Sequence, residues 1–145
     1  MNIAATATLP LLLCAALAAD VAAPAPQQTE AQEVSQAENH VRAGVVILAK
    51  IHDELAKVQD RDTAEAAVAP LMRLGEELTL WAKATASLPP LSDLERMEME
   101  DRYMPVIKRV NERIKSQGER IAAAEFYGSR NLPAALVHIV QATAQ

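Results

Sequence analysis

Two interleaved seven-residue series run through one stretch of this chain. Val34, Val41, Leu48 and Leu55 form the first, and Ala37, Gly44, Ile51 and Val58 the second, offset by three. Together they make a continuous a/d seam, the pattern of a helix that buries one face against neighbouring helices. The spacing predicts a first helix over about 33–59. Gly44 lowers helix propensity but lets a partner approach closely. The choice of hydrophobes agrees: half the chain is hydrophobic, yet aromatics are only 3% and glycines number 4. Ala- and Leu-rich sequences with little turn or strand chemistry build helix on helix.

The remaining sequence extends the pattern. Asp62-Thr63-Ala64-Glu65 has the form of a capping box, opening a second helix that runs to about Leu88. Its seam positions are Ala64, Leu71, Leu78 and Thr85, alternating with Ala67, Leu74, Trp81 and Leu88, and Pro70 predicts a kink. Pro89-Pro90 ends it, and Ser92-Asp93-Leu94-Glu95 caps a third helix over 93–127. There Leu94, Met97 and Met104 give one apolar stripe. After Pro105 the phase shifts to Ile107, Val110, Ile114, Gln117, Ile121 and Ala124. Charge is sorted by end: residues 92–101 carry net −4 and residues 102–120 net +4, complementing the helix macrodipole. Gly128 predicts a left-handed helix stop. Ser129 or Asn131 then caps a short fourth helix from Leu132 to about Ala142, docking through Leu136, Ile139 and Val140. The expected fold is all-α: an antiparallel bundle of three long helices plus a short C-terminal helix, occupying residues 33–145.

Residues 1–19 read as a signal peptide. Ile3 to Ala19 carries no charged side chain, has an apolar centre at Leu9–Leu17, and ends in Ala16-Leu17-Ala18, a small-x-small cleavage pattern. Asp20 begins the expected mature chain, and 20–32, rich in Pro and Gln, is expected to be a flexible tether. The reading implies a periplasmic or secreted protein without a stable membrane span after cleavage. Leu13 stands before Cys14 where a lipidation site takes a small residue. Removal of Cys14, the sole cysteine, leaves no disulfide or thiolate chemistry in the mature chain.

The composition offers little for catalysis. A net charge of −5 supplies no phosphate-neutralising term, so no nucleic-acid partner is expected. His40 and His52 lie twelve residues apart on one helix, about 18 Å by helical rise, and no His-x-x-x-His or Glu-x-x-His pair occurs. His52, beside the seam, reads as a structural histidine. Met97 and Met104 are expected on the core face, with Met99 turned away. No Gly-x-Ser-x-Gly elbow or phosphate-cradling loop is present. Surface acids sit beside bases, as Glu98 and Arg102 do at i,i+4. The chain is therefore read as a non-enzyme, with no catalytic, metal or cofactor-binding residue and no cofactor. Phe126, Tyr127 and Arg130 cluster at the Gly128 turn. The aromatics staple two helices there, and Tyr127 with Arg130 form the candidate corner for recognising a protein.

The turn Tyr127-Gly128-Ser129 after a long helix, together with Asp53 near the middle of the first, resembles a group of uncharacterised exported bacterial helical proteins. That resemblance implies a helical fold and export, and no activity. Periplasmic stress-response helical proteins that bind misfolded chains carry Leu-Thr-x-x-Gln, but here Leu78-Thr79-Leu80-Trp81-Ala82 ends in Ala. The expected function is protein interaction through helices, by self-association or with another protein, or a structural role. A haem- or metal-binding bundle is the alternative, with Met72, Met97, Met104 and His138 as available ligands. A chaperone-like binder is the third reading.

Overall fold

The computed structural model describes the backbone of residues 27–143 and the side chains of residues 36–143. The segment read as a signal peptide (with Cys14), the side chain of Val34 and the first part of the expected tether lie outside these. Among the described residues the chain is all-helical: α1 (Gln27–Lys57), α2 (Arg61–Thr85), α3 (Asp93–Ala123), a short 3-10 turn (Glu125–Gly128) and α4 (Leu132–Thr143). α1 begins at Gln27, inside the stretch expected to be a tether. The closest pairings are α2 with α4, α1 with α3, and α1 with α2.

The seam is buried at all seven described positions, Ala37, Val41, Gly44, Leu48, Ile51 and Leu55 on α1 and Val58 just past its end. Its C-terminal half joins Leu71, Leu74 and Leu78 of α2, Ile121 of α3, and Leu132, Ala135 and Ile139 of α4 in the main core. A second, smaller core lies towards the other end, where Ala37 and Val41 enclose Met99 with Leu91, Tyr103 and Ile107. α1 thus carries both cores, and its continuous stripe reflects two successive sets of neighbours.

Several sequence expectations need correction. α2 is capped by Asp60, not Asp62. The Asp60 carboxylate accepts from the Thr63 backbone N–H at 2.8 Å while Thr63 Oγ1 accepts from the Asp60 N–H at 3.0 Å. This box closes two residues earlier than the expected one and brings the start of α2 to Arg61. The Thr63 N–H also holds the Asp60 carboxyl below its usual range. At the other end α2 stops at Thr85, where Ser87 and Leu88 N–H groups bond back in a turn.

α3 starts as expected, with Ser92 and Glu95 in a reciprocal capping box, but its buried stripe differs. Met99, Tyr103, Ile107, Val110, Ile114, Gln117 and Ile121 recur at spacings of four and three in a single phase, the face buried or half-buried throughout. No slip occurs at Pro105. Met99 is buried, whereas Leu94 and Met97 are 67% and 59% exposed. Met104 is half-buried. The physical reason is the location of the neighbour: α3 rests on α1, and the sector carrying Leu94 and Met97 faces away. Arg102 turns from Glu98 to Glu38 on α1. In α4 the buried row is Leu132, Ala135, Ile139 and Ala142, with Leu136 half-buried and Val140 exposed. Ser129 supplies the cap, accepting from the Leu132 N–H at 3.1 Å.

Candidate interaction site

The turn expected to hold the recognition corner is a left-handed segment. Glu125, Phe126, Tyr127 and Gly128 have φ of 50°, 56°, 54° and 72°. Only Gly128 adopts this region without a Cβ penalty; each of the other three costs about 1–2 kcal/mol. Packing offsets that cost. Phe126 and Tyr127 are half-buried against the main core, and the Tyr127 hydroxyl accepts from Arg120 Nη1 at 2.8 Å. Arg120 Nη2 also donates to the Leu55 carbonyl at 3.0 Å, and its Nε to Gln117 Oε1 at 2.9 Å. Leu55 lies in the last turn of α1, where its carbonyl accepts only a turn bond from the Val58 N–H at 3.2 Å and has room for a second donor. One guanidinium therefore ties the end of α1, the end of α3 and the left-handed turn together. Arg130 is exposed. The structure thus places Phe126 and Tyr127 partly inside the fold and Arg130 outside it.

A second polar cluster joins α1 to α2. Trp81 Nε1 donates to the His40 carbonyl at 2.8 Å, and the two rings stack at 5.1 Å with 8° between their planes. Thr85 Oγ1 donates to the Trp81 carbonyl at 2.9 Å and lies 2.8 Å from His40 Nε2. With the Thr85 hydrogen committed to that carbonyl, His40 Nε2–H is the donor. A Cβ on Gly44 would stand 2.5 Å from the Trp81 ring, so the glycine is what admits the indole. Gly75 does the same for His138, whose Cδ2 would lie 2.5 Å from an added Cβ. His138 Nε2 is buried there without a hydrogen-bond partner.

The third cluster joins α1 to α3. Glu38 Oε1 accepts from Tyr103 Oη at 2.7 Å, Arg42 Nη2 at 2.7 Å and Arg102 Nη1 at 3.0 Å. Tyr103 Oη in turn accepts from Arg42 Nε at 2.8 Å. The Tyr103 hydroxyl, then Arg42, hold the Glu38 carboxyl below its usual range, and Tyr103 with Glu38 raises Arg42. Each cluster spends its polar atoms on joining helices. An open cleft of about 210 Å³ between α1 and α2 is lined by Lys50, Glu54, Pro70, Arg73, Leu74 and Glu77, where Lys50 and Glu77 pair at 4.0 Å.

Of the side chains weighed as cofactor ligands, Met72 packs on the main core, Met97 faces solvent, and His138 lies against Gly75. Among the described residues no group of three or more His, Cys, Asp or Glu side chains is arranged to hold a metal ion. No described helix is long and apolar enough to cross a membrane. Sequence reasoning missed the tying roles of Arg120, His40 and Trp81, because their bonds to Tyr127, to Leu55 and to each other cross between elements and leave no local signature. Compared with protein-family models, curated proteins and solved structures, the chain matches none.

Proposed function

We propose that this chain is an exported, non-enzymatic protein that works by presenting helix surfaces to another protein. The observation that carries the reading is the placing of its exposed hydrophobes. Leu94 and Met97 on α3, and Val137 and Val140 on α4, are exposed as i,i+3 pairs, so each pair shares one helical face. Single exposed hydrophobes are ordinary, whereas adjacent ones on one face are the raw material of a contact. The long helices take an antiparallel, up-down-up course in this reading. Support comes from the early part of α1 meeting the late part of α2 through His40 and Trp81, while Glu38 and Leu55 meet Tyr103 and Arg120 in the same order along α3. The uncharged, Ala-ended segment at 3–19 supports export.

The test is site-specific photo-cross-linking in an exporting cell, with the reactive side chain at Met97, at Val137, or at exposed Glu76 as control. Discrete adducts at the first two positions and none at the third are expected. Equal, diffuse labelling at all three, or no adduct at all, would sink the reading.

A further inference from the structure

We infer that the partner surface on α3 is a second copy of this chain, paired antiparallel along α3 with the acidic end of one against the basic end of the other. The inference rests on the protein-interaction reading above and names its partner. α3 has 31 residues, about 46 Å at 1.5 Å per residue, and only one of its faces is taken up by α1. The outward sector carries Leu94, Met97, Asp101, Pro105 and Lys108, all exposed. Charge along the helix is divided near its middle: residues 93–101 carry net −4 and residues 102–116 net +4.

The two charge blocks find little satisfaction within the molecule. Among the described residues, Asp93 pairs with Arg96, Arg102 with Glu38, and Lys115 with Glu119, while Glu98, Asp101, Lys108 and Arg109 enter no ion pair. Nor can Asp101 reach Lys108 on its own helix, because seven residues separate them by about 10 Å of rise. Parallel pairing of two α3 helices would set acid against acid. An antiparallel pair, with its two-fold axis between Met104 and Pro105, sets Asp101 opposite Lys108 and brings Glu98 close to Arg109 on a shared flank, each twice by symmetry. At that axis the positions nearest the outward sector, half-buried Met104 and exposed Pro105, carry no charge and supply apolar surface. An uncharged centre flanked by complementary charge is the usual anatomy of a specific interface.

The experiment is sedimentation velocity on the purified protein over a concentration series, at about 0.01 M and about 1 M salt, where the screening length falls from roughly 30 to 3 Å. A dimer that weakens with salt is expected. Two charge-reversed chains sharpen the test: one with Glu98→Lys and Asp101→Lys, the other with Lys108→Glu and Arg109→Glu. All four sites are exposed, and circular dichroism checks that each variant folds. Each variant alone should dimerise at least roughly tenfold more weakly. An equimolar mixture should recover the dimer, because the reversed acidic end of one chain then faces the reversed basic end of the other. A wild type that stays monomeric at low salt, variants that dimerise as the wild type does, or a mixture that stays monomeric would each overturn the pairing. A monomer still giving discrete cross-links to another protein from Met97 would overturn self-pairing and leave the broader reading standing. A monomer giving none would remove both.

Discussion

Two glycines on different helices behave oppositely because of what stands over them. Gly44 faces the Trp81 ring at a distance no Cβ tolerates, while Gly118 meets nothing within 4 Å. Gly44→Ala should therefore lower the free energy of unfolding by about 1–3 kcal/mol through overpacking. Gly118→Ala should raise it by about 0.5–1 kcal/mol through helix propensity alone. Urea denaturation of both variants checks the pair, and a stabilised Gly44→Ala protein would contradict the Trp81 packing. Glu38 gives the residue scale its pH dependence. Its carboxyl is held below the ordinary carboxylate range chiefly by the Tyr103 hydroxyl and Arg42. A depressed folded-state value means that Glu38 contributes stability above its unfolded value and loses it as pH falls through the folded one. Glu38→Gln should flatten the decline of stability on acidification below about pH 5, measured by denaturant midpoints at successive pH values. An unchanged slope would show the cluster to be energetically silent, as exposed ion pairs often are.

The elements differ in how much of them a sequence can reveal. The seam of α1 was legible because heptad spacing maps directly onto one helical face, and every described seam position is buried. The first half of α3 was misread because its buried face runs through Met99, no more apolar than Met97, and amphipathic Tyr103; from Ile107 to Ile121, Gln117 included, the expected stripe is buried or half-buried. Leu94 and Met97 advertise it strongly and stand outside. Hydrophobicity names the side chains that prefer burial, but only tertiary placement decides which face has something to bury against. The candidate corner shows the same division. Gly128 announced a left-handed stop, yet nothing local foretold three left-handed residues before it, or that Arg120 would hold them from seven residues upstream of Tyr127. Arg120→Met, which keeps much of the stem, removes the bonds to Leu55, Gln117 and Tyr127. It should cost about 1–3 kcal/mol, since it strips partners from partly buried groups. Tyr127→Phe breaks one of the three bonds and should cost about 0.5–1.5 kcal/mol. In the double variant the Tyr127 effect should largely vanish. Simple addition of the two losses in denaturation experiments would show that Arg120 does not act through the turn.

At the scale of the whole molecule, the division into two cores matters more than the number of helices. The main core draws on all four helices and contains side chains sealed from solvent, among them Ile51, Leu55, Leu71, Ile121 and Leu132. The second core has three buried residues, Ala37, Val41 and Met99, supplied by α1 and α3 alone. Opening the second core exposes less apolar surface, so it demands less free energy than unfolding the whole. The helices most exposed by such an opening, the early parts of α1 and α3, are also those joined by the Glu38 cluster and those that carry Leu94 and Met97. Native-state hydrogen exchange should therefore resolve two levels of protection. Amides of 36–43 and 96–107 should exchange through a smaller opening, while those of 51–56, 67–78 and 135–140 should approach the global unfolding limit. Self-pairing along α3 adds a further signature, because a partner that binds only the closed form stabilises it by mass action. Protection of 96–107 should then rise with protein concentration while that of 67–78 rises less. One uniform level of protection across both sets would mean that α1 transmits full cooperativity from end to end, and that the two cores unfold as one.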